Sequence, residues 1–302
     1  MTEPSITSAA PANTPTSLPA DDHTHSQFSW DSFHGNMRAS CEHALVIGLP
    51  AISFTEHVDF TVWNAPPGGW AWDQGIRDSY DDPIGPGGHG HFMGAPLEVD
   101  AYQAAIEDCR HRFPDLTIRS GVEMSEVHWH TDAIRDVLSR GFDRIVGSIH
   151  TLEDTRAPGE HLLVDHAKDQ HSPVDLLAAY LSQVEAMVAS DGPFEVLGHI
   201  DFSLRHWTPD DGPSPWGQVE EQTRHVLGVL AASGRVLEVN TSIPLDLRMV
   251  RWWHEAGGTA VSFGSDAHVP SYVGRRFREV SKAVAALGFR PAQDPTAFWG
   301  RT

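Results

Sequence analysis

Lysine is almost missing from this chain of 302 residues: Lys168 and Lys282 stand alone, and arginine supplies the rest of 21 basic residues against 41 acidic ones. The formal charge of −20 sets up a field that repels nucleic acid and anionic membranes. A phosphate-bearing substrate would then need local positive charge, and bound metal ions are one way to build it. Cysteine is equally scarce. Cys41 and Cys109 both fall at apolar positions of predicted helices, which argues against a disulfide scaffold or a cysteine zinc site and makes a reducing compartment the default. No apolar run approaches transmembrane length. Residues 1–20, MTEPSITSAAPANTPTSLPA, lack the basic start and apolar centre of a signal peptide, so they read as a disordered tail on a cytoplasmic protein.

What is present suits a full core, since 40% of the residues are hydrophobic. From residue 21 to 302 the sequence reads as a single domain that repeats one phrase: a short β-rich run, a polar cluster, then an amphipathic helix. The runs are AISF (51–54), LTIRS (116–120), RIVGS (144–148), EVLG (195–198), RVLEV (235–239) and AVSFG (260–264), with a weaker one before His23. In EVDAYQAAIEDCRHRF, residues Val99, Tyr102, Ile106, Cys109 and Phe113 recur at steps of three and four, one face of a helix. SPVDLLAAYLSQVEAMV opens with Ser172 as cap and Pro173 at the first helical position. Later helices stop at Gly234 and at Gly257/Gly258. Strands alternating with helices predict a parallel sheet, open or closed into a barrel.

The residues just past each strand decide between these. His23 and His25 follow the first run, in DDHTHS, and His57 and Asp59 the second, in FTEHVDF. Glu123 follows the third; His150 the fourth, in GSIH; His199 and Asp201 the fifth, in GHID; Asn240 the sixth; Asp266 and His268 the seventh, in GSDAH. An open sheet concentrates its functional residues at one switch point, whereas a barrel collects them from many strand ends at its C-terminal rim. Histidines and carboxylates on nearly every strand end therefore favour a barrel with a multinuclear site for zinc, iron or manganese. The pair His89/His91 sits in a Gly/Pro-rich insertion, residues 60–97, which reads as a candidate lid rather than a preformed site. Trp63, Trp70 and Trp72 there can pack the lid or stack on a flat substrate. His128/His130, close to Glu126, can line a substrate pocket or simply a polar loop.

The series HTHS, TEH, GVE, GSIH, GHID and GSDAH, spread from residue 21 to about 290, resembles the polymerase-and-histidinol-phosphatase (PHP) family. That resemblance implies a distorted seven-stranded (β/α) barrel with two to three metal ions at its rim. It implies one metal held by His23, His25, Glu123 and Asp266, and a second held by Glu123, His150 and His199. A third falls to His57 and His268, with His34 as the further ligand, although His34 also suits a turn before the helix beginning near Asn36. Within the family, the long insertion before GVE, then FDRIVGSIH and GHIDF followed by Arg205, resemble the stand-alone histidinol-phosphate phosphatases. The implied reaction is hydrolysis of L-histidinol phosphate in histidine biosynthesis, by in-line attack of metal-activated water.

Arg205 is the candidate for a direct phosphate contact, against the plainer reading of a surface arginine. Asp201 or Asp59 can protonate the leaving group or orient a ligand histidine. Glu126 and His128 are expected to meet the substrate's amine or imidazole. The expected partner is thus a small phosphorylated metabolite, with neither nucleic acid nor membrane. Two rivals stand beside this reading. A nucleotide phosphatase or phosphodiesterase could use the same metals. An amidohydrolase also begins with HxH, but many use a strand-end lysine as bridge, and neither lysine lies at a strand end here.

Overall fold

The computed structural model describes residues 17–65, 90–205, 207–242 and 246–302. The tail up to residue 16 and the middle of the insertion, including Trp70, Trp72 and His89, lie outside the described residues. The chain begins with β1 (Asp21–Thr24), α1 (Met37–Ile47), β2 (Ala51–Val58), β3 (Trp63–Ala65), β4 (Gly90–Phe92) and α2 (Val99–Arg112). It continues through β5 (Thr117–Ser125), α3 (Thr131–Leu138), β6 (Arg144–Ser148), β7 (Thr151–Glu153), β8 (His161–Leu163), α4 (Val164–Ala167) and α5 (Pro173–Ala189). It ends with β9 (Val196–Leu197), α6 (Glu220–Ser233), β10 (Val236–Asn240), α7 (Leu247–Glu255), β11 (Ala260–Gly264), α8 (Phe277–Ala286), β12 (Phe289–Arg290) and β13 (Trp299–Arg301).

Strands β1, β2, β5, β6, β9, β10 and β11 pair in that order, each parallel to the next. The ring closes where Thr24 bridges Ala267 in parallel, His25 N–H donates to the Ala267 carbonyl (2.9 Å) and Asp266 N–H to that of His23 (2.8 Å). This is the barrel that the strand-end pattern favoured, in the distorted seven-stranded form that the family resemblance implied. Two additions were not foreseen: antiparallel β12 and β13 extend from β11, and β4, β3, β8 and β7 form a separate small sheet. Strands of two or three residues carry too little alternation to read.

Local signals set the helices. Ser172 accepts from the Asp175 N–H at the start of α5, which buries Leu176, Leu177, Tyr180, Leu181, Val184 and Met187 against the barrel. Asn36 caps α1 in the same way, and Gly234 ends α6 at φ 75°, in the left-handed region glycine tolerates. Cys41 and Cys109 are buried free thiols in the core.

Inside the barrel, side chains alternate along each strand. At the lower end Val146, Val196 and Val236 pack with Ala260 and Phe298. Beside them lies a charged group: Asp22 Oδ1 accepts from Arg144 (2.9 and 3.1 Å), from Arg119 (3.3 Å) and from the Ser53 hydroxyl (3.2 Å), while Asp22 Oδ2 accepts from Ser262 (3.3 Å). The upper end holds the histidines.

Candidate metal centre and substrate cavity

Glu123 is the hub. It lies inside β5 rather than after it, as His57 lies inside β2, because both strands run on past their apolar stretches with the polar residues facing the barrel interior. The Oε2 atom of Glu123 is 3.2 Å from His23 Nε2, 3.5 Å from His25 Nε2 and 3.2 Å from His57 Nδ1. Its Oε1 atom faces the other way, 2.8 Å from His199 Nε2 and 3.2 Å from His150 Nε2, and accepts from the Ser148 hydroxyl at 2.6 Å. Asp266 Oδ1 completes the first group, 3.2 Å from His25 Nε2 and 3.8 Å from His23 Nε2. Asp266 takes φ 51°, an uncommon backbone state for a non-glycine residue, at the loop that closes the barrel.

A third group forms around Asp31. Its Oδ2 atom is 3.1 Å from His268 Nε2 and 3.3 Å from His57 Nε2. The structure thus gives Asp31 the place beside His57 and His268 that the resemblance assigned to His34. His34 is exposed and makes no hydrogen bond, ion pair or ring contact with the cluster. Successive turns explain this: Ser29, Ser32 and Gly35 donate back to Ser26, Ser29 and Ser32, so the loop winds on itself, with Asp31 facing the cluster and His34 facing solvent.

Residues behind the cluster orient it; sequence reading offered Asp59 for this role and missed Glu238, Ser29 and Glu56. Glu238 Oε1 lies 2.7 Å from His23 Nδ1, and its Oε2 accepts from the His199 backbone N–H (2.6 Å). It shares a strand face with Asn240, two residues on, and that period-two relation was the available signal. Gly264 makes room for it, since a Cβ there would come within 2.0 Å of Glu238 Oε1. Ser29 Oγ bonds His25 Nδ1 (3.0 Å) and donates to Glu56 (2.6 Å). Asp59 Oδ1 lies 3.2 Å from His150 Nδ1, and its Oδ2 accepts from the Trp30 indole (2.7 Å). Such contacts fix each ring so that its other nitrogen faces the cluster.

The donor set fits metal ions. Glu123 Oε2, His57 Nδ1, His199 Nδ1 and Asp31 Oδ1 are buried with no hydrogen-bond partner, and close ring nitrogens such as His23 Nε2 and His25 Nε2, 3.1 Å apart, point at shared space. Among the described residues, four sets of histidine and carboxylate groups each bring their ligand atoms within 4.8 Å of one another: His23/His25/Glu123, Glu123/His150/His199, His25/His57/His268 and His57/Asp59/His150. Burial drives His25 down to about 3, helped by neighbouring His268 and His57, so its ring is neutral and ready to donate electrons. Burial alone would raise Glu123, but His23 and His150 override it and hold the carboxyl well below its usual range. For His57 burial is outweighed by Asp31, Glu123 and Asp59, and its pKa rises to about 9. In the protein alone, protons occupy the ground that cations would take.

The cluster floors a cavity of about 290 Å³, walled by Trp30, Trp63, Leu163, Phe202, Asp165 and Arg205. Trp63, expected in the lid, is buried beside Trp30, ring centroids 5.6 Å apart. Arg205 is over the Phe202 ring, 4.5 Å from its centroid, with Asp165 3.8 Å away. Glu126 lines the cavity, yet its carboxylate is occupied: Oε1 accepts from the His150 and Thr151 backbone (2.7 and 2.8 Å), and Oε2 from Thr61 (2.8 Å). His128 is outside the lining, as are Lys168 and Lys282. Asp201 is also outside it; burial pushes its carboxyl up to about 7, and no hydrogen bond or ion pair ties it to the cluster. The tight turn Phe202–Leu204 begins directly after it.

Comparison with known proteins supplies the last observation. The PHP domain family model matches residues 21–242. The curated histidinol-phosphatase of Lactococcus lactis subsp. lactis is 24% identical over 259 residues, 82% of this chain and 84% of that protein. A probable histidinol-phosphatase of Deinococcus radiodurans is 25% identical over 282 residues, 89% and 94% of the two chains. Among solved structures, histidinol phosphate phosphatase from Lactococcus lactis, complexed with zinc, L-histidinol and phosphate, superposes with a TM-score of 0.71 at 21% identity, covering 94% of this chain and 98% of that one.

Proposed function

The chain belongs to the PHP domain family, and on that premise we propose that it is a metal-dependent phosphomonoesterase hydrolysing L-histidinol phosphate to L-histidinol and phosphate, in histidine biosynthesis. The observation that carries this reading is Glu123, whose two oxygens serve two histidine groups while one of them, Oε2, lacks any hydrogen bond. The relatives named as histidinol-phosphatases support the substrate.

In this reading His23, His25, Glu123 and Asp266 hold one divalent ion, Glu123, His150 and His199 a second, and His57, His268 and Asp31 a third; zinc, iron and manganese all suit the donors. Bound there, the ions supply positive charge for the phosphoryl oxygens and acidify water for in-line attack. Glu238, Ser29 and Asp59 keep the rings of His23, His25 and His150 turned toward the cluster. Arg205 offers paired N–H groups to the phosphate from its seat on Phe202. Asp59, committed to His150, is assigned to orientation rather than to proton transfer, and Trp30 and Trp63 keep bulk water from the reacting centre.

The chain has two free thiols, and none of its described helices is long and apolar enough to cross a membrane. The free thiols support our reading that it acts in a reducing compartment, the cytoplasm. The test is phosphate release from histidinol phosphate compared with nucleotides, serine phosphate and an aryl phosphate. The reading expects histidinol phosphate to be strongly preferred; preference for a nucleotide would overturn the substrate and leave the metal centre standing.

A further inference from the structure

Glu126 sits where the pairing of β5 with β6 ends. The two strands stay in register up to Ser125 and Ser148, and the Glu126 N–H adds one more bond, to the Ser148 carbonyl at 3.0 Å. Beyond that point the segment carrying His150 has left the ladder, and its N–H groups need other acceptors. Glu126 supplies one from its side chain: Oε1 takes both the His150 N–H (2.7 Å) and the Thr151 N–H (2.8 Å). The residue is wholly buried, and its backbone takes φ 42°, an uncommon state for a residue with a side chain. Glycine would fit that backbone at less cost but has no carboxylate to offer.

His150 is thereby held at every polar group but one. Its N–H goes to Glu126, its carbonyl accepts from the Val164 N–H at 2.8 Å, and its Nδ1 lies 3.2 Å from Asp59 Oδ1, which leaves Nε2 facing Glu123 Oε1. The clamp is braced from behind: the Thr61 hydroxyl donates to Glu126 Oε2 at 2.8 Å and lies 2.8 Å from His130 Nε2. We propose that Glu126 is a positioning residue: it fixes the backbone of His150 and so sets the affinity of the ion held by Glu123, His150 and His199, with Thr61 and His130 keeping its carboxylate in place. This rests on the metal-dependent reading and moves Glu126 from the substrate to the metal centre. Partners that orient a metal ligand are worth roughly 10–100-fold in metal affinity.

The test titrates the metal-free full chain with cobalt(II), whose absorption reports on its ligands, in the wild type, Glu126→Ala, Glu126→Gln and Thr61→Val. Glu126→Ala should weaken one ion roughly 10–100-fold and leave the others as they are. That ion should be the one lost in His150→Ala, and the double variant should lose no more than His150→Ala alone. Glu126→Gln keeps an oxygen for the two N–H groups, and Thr61 can reverse its hydrogen bond to suit the amide, so affinity should stay close to that of the wild type. Thr61→Val should weaken the same ion about threefold to tenfold, which decides the matter if Glu126→Ala does not fold. Equal weakening of all ions, unchanged binding in Glu126→Ala or Thr61→Val, or a loss in Glu126→Gln as large as in Glu126→Ala overturns the proposal. A wild type that binds no cobalt sinks the metal-dependent reading instead. Amide exchange at His150 and Thr151 in the metal-free chain then judges Glu126: faster exchange in Glu126→Ala upholds its hold on His150, and unchanged exchange overturns it.

Discussion

The two ends of the barrel bury charge in opposite ways. At the lower end Asp22 meets Arg144, Arg119, Ser53 and Ser262, and Arg144 reaches on to Glu195 at 2.6 Å. At the upper end Glu123, Asp31 and Asp266 are surrounded by imidazoles, and Glu123 Oε2, His57 Nδ1, His199 Nδ1 and Asp31 Oδ1 are left without hydrogen-bond partners. A buried polar atom without a partner costs about 1–3 kcal/mol, more if charged, so an end with several of them is not built for folding stability alone. The lower layer has its counter-ions in the chain; the upper layer is shaped to receive them from outside.

The sharpest way to break this contrast is to remove one charged group from each end. Glu123→Gln should lower phosphatase activity at least ~10³-fold, about 4 kcal/mol of transition-state stabilisation, with a native circular dichroism spectrum. Arg144→Met should instead cost about 3–5 kcal/mol of folding stability in urea titration, because Asp22 is left buried without its main partner, while the protein that remains folded keeps its metal. If the two effects exchanged places, the division between the ends would be wrong. A smaller change comes from behind the cluster: Glu238→Gln should weaken metal affinity roughly 10–100-fold, measured by competition with a chelator.

The smallest expected effect is the pH dependence. His57 has its pKa raised to about 9 in the metal-free protein, from an ordinary 6.5. Its proton therefore stabilises that form fully below pH 6.5 and ceases to do so as pH rises through 9. A cation must displace this proton and those of His23, His150 and His268, whose pKa values are also raised, so metal affinity should climb about tenfold per pH unit for each histidine deprotonated on binding. His25, driven down to about 3, contributes nothing there. Isothermal titration at several pH values would show the slope; a flat profile would mean that His57 takes no part in binding.

The upper end was the more legible of the two. His150, His199, Asp266 and His268 stood out because short Gly/Ser turns follow their strands, and a barrel rim gathers strand ends wherever they fall in sequence. Asp31 was hidden in a loop whose path depends on turns and on packing of Gly35 against Ser26, which carry no period. Glu238 was masked by its strand, where a carboxylate between Leu237 and Val239 reads as an outward-facing residue. Glu126 looked free for substrate, and only the fold reveals that the backbone of His150 and Thr151 occupies it. The charged lower layer was unreadable for a similar reason: Asp22, Arg119 and Arg144 meet only when the sheet closes.

The central claim, that the upper end is made for metal ions and works through them, is tested most directly by dialysing the full chain against manganese or zinc and measuring bound metal and histidinol phosphate hydrolysis before and after chelation. The account predicts roughly two to three ions per chain, activity lost on chelation and regained on adding metal back. Full activity in protein shown to hold no metal would contradict it.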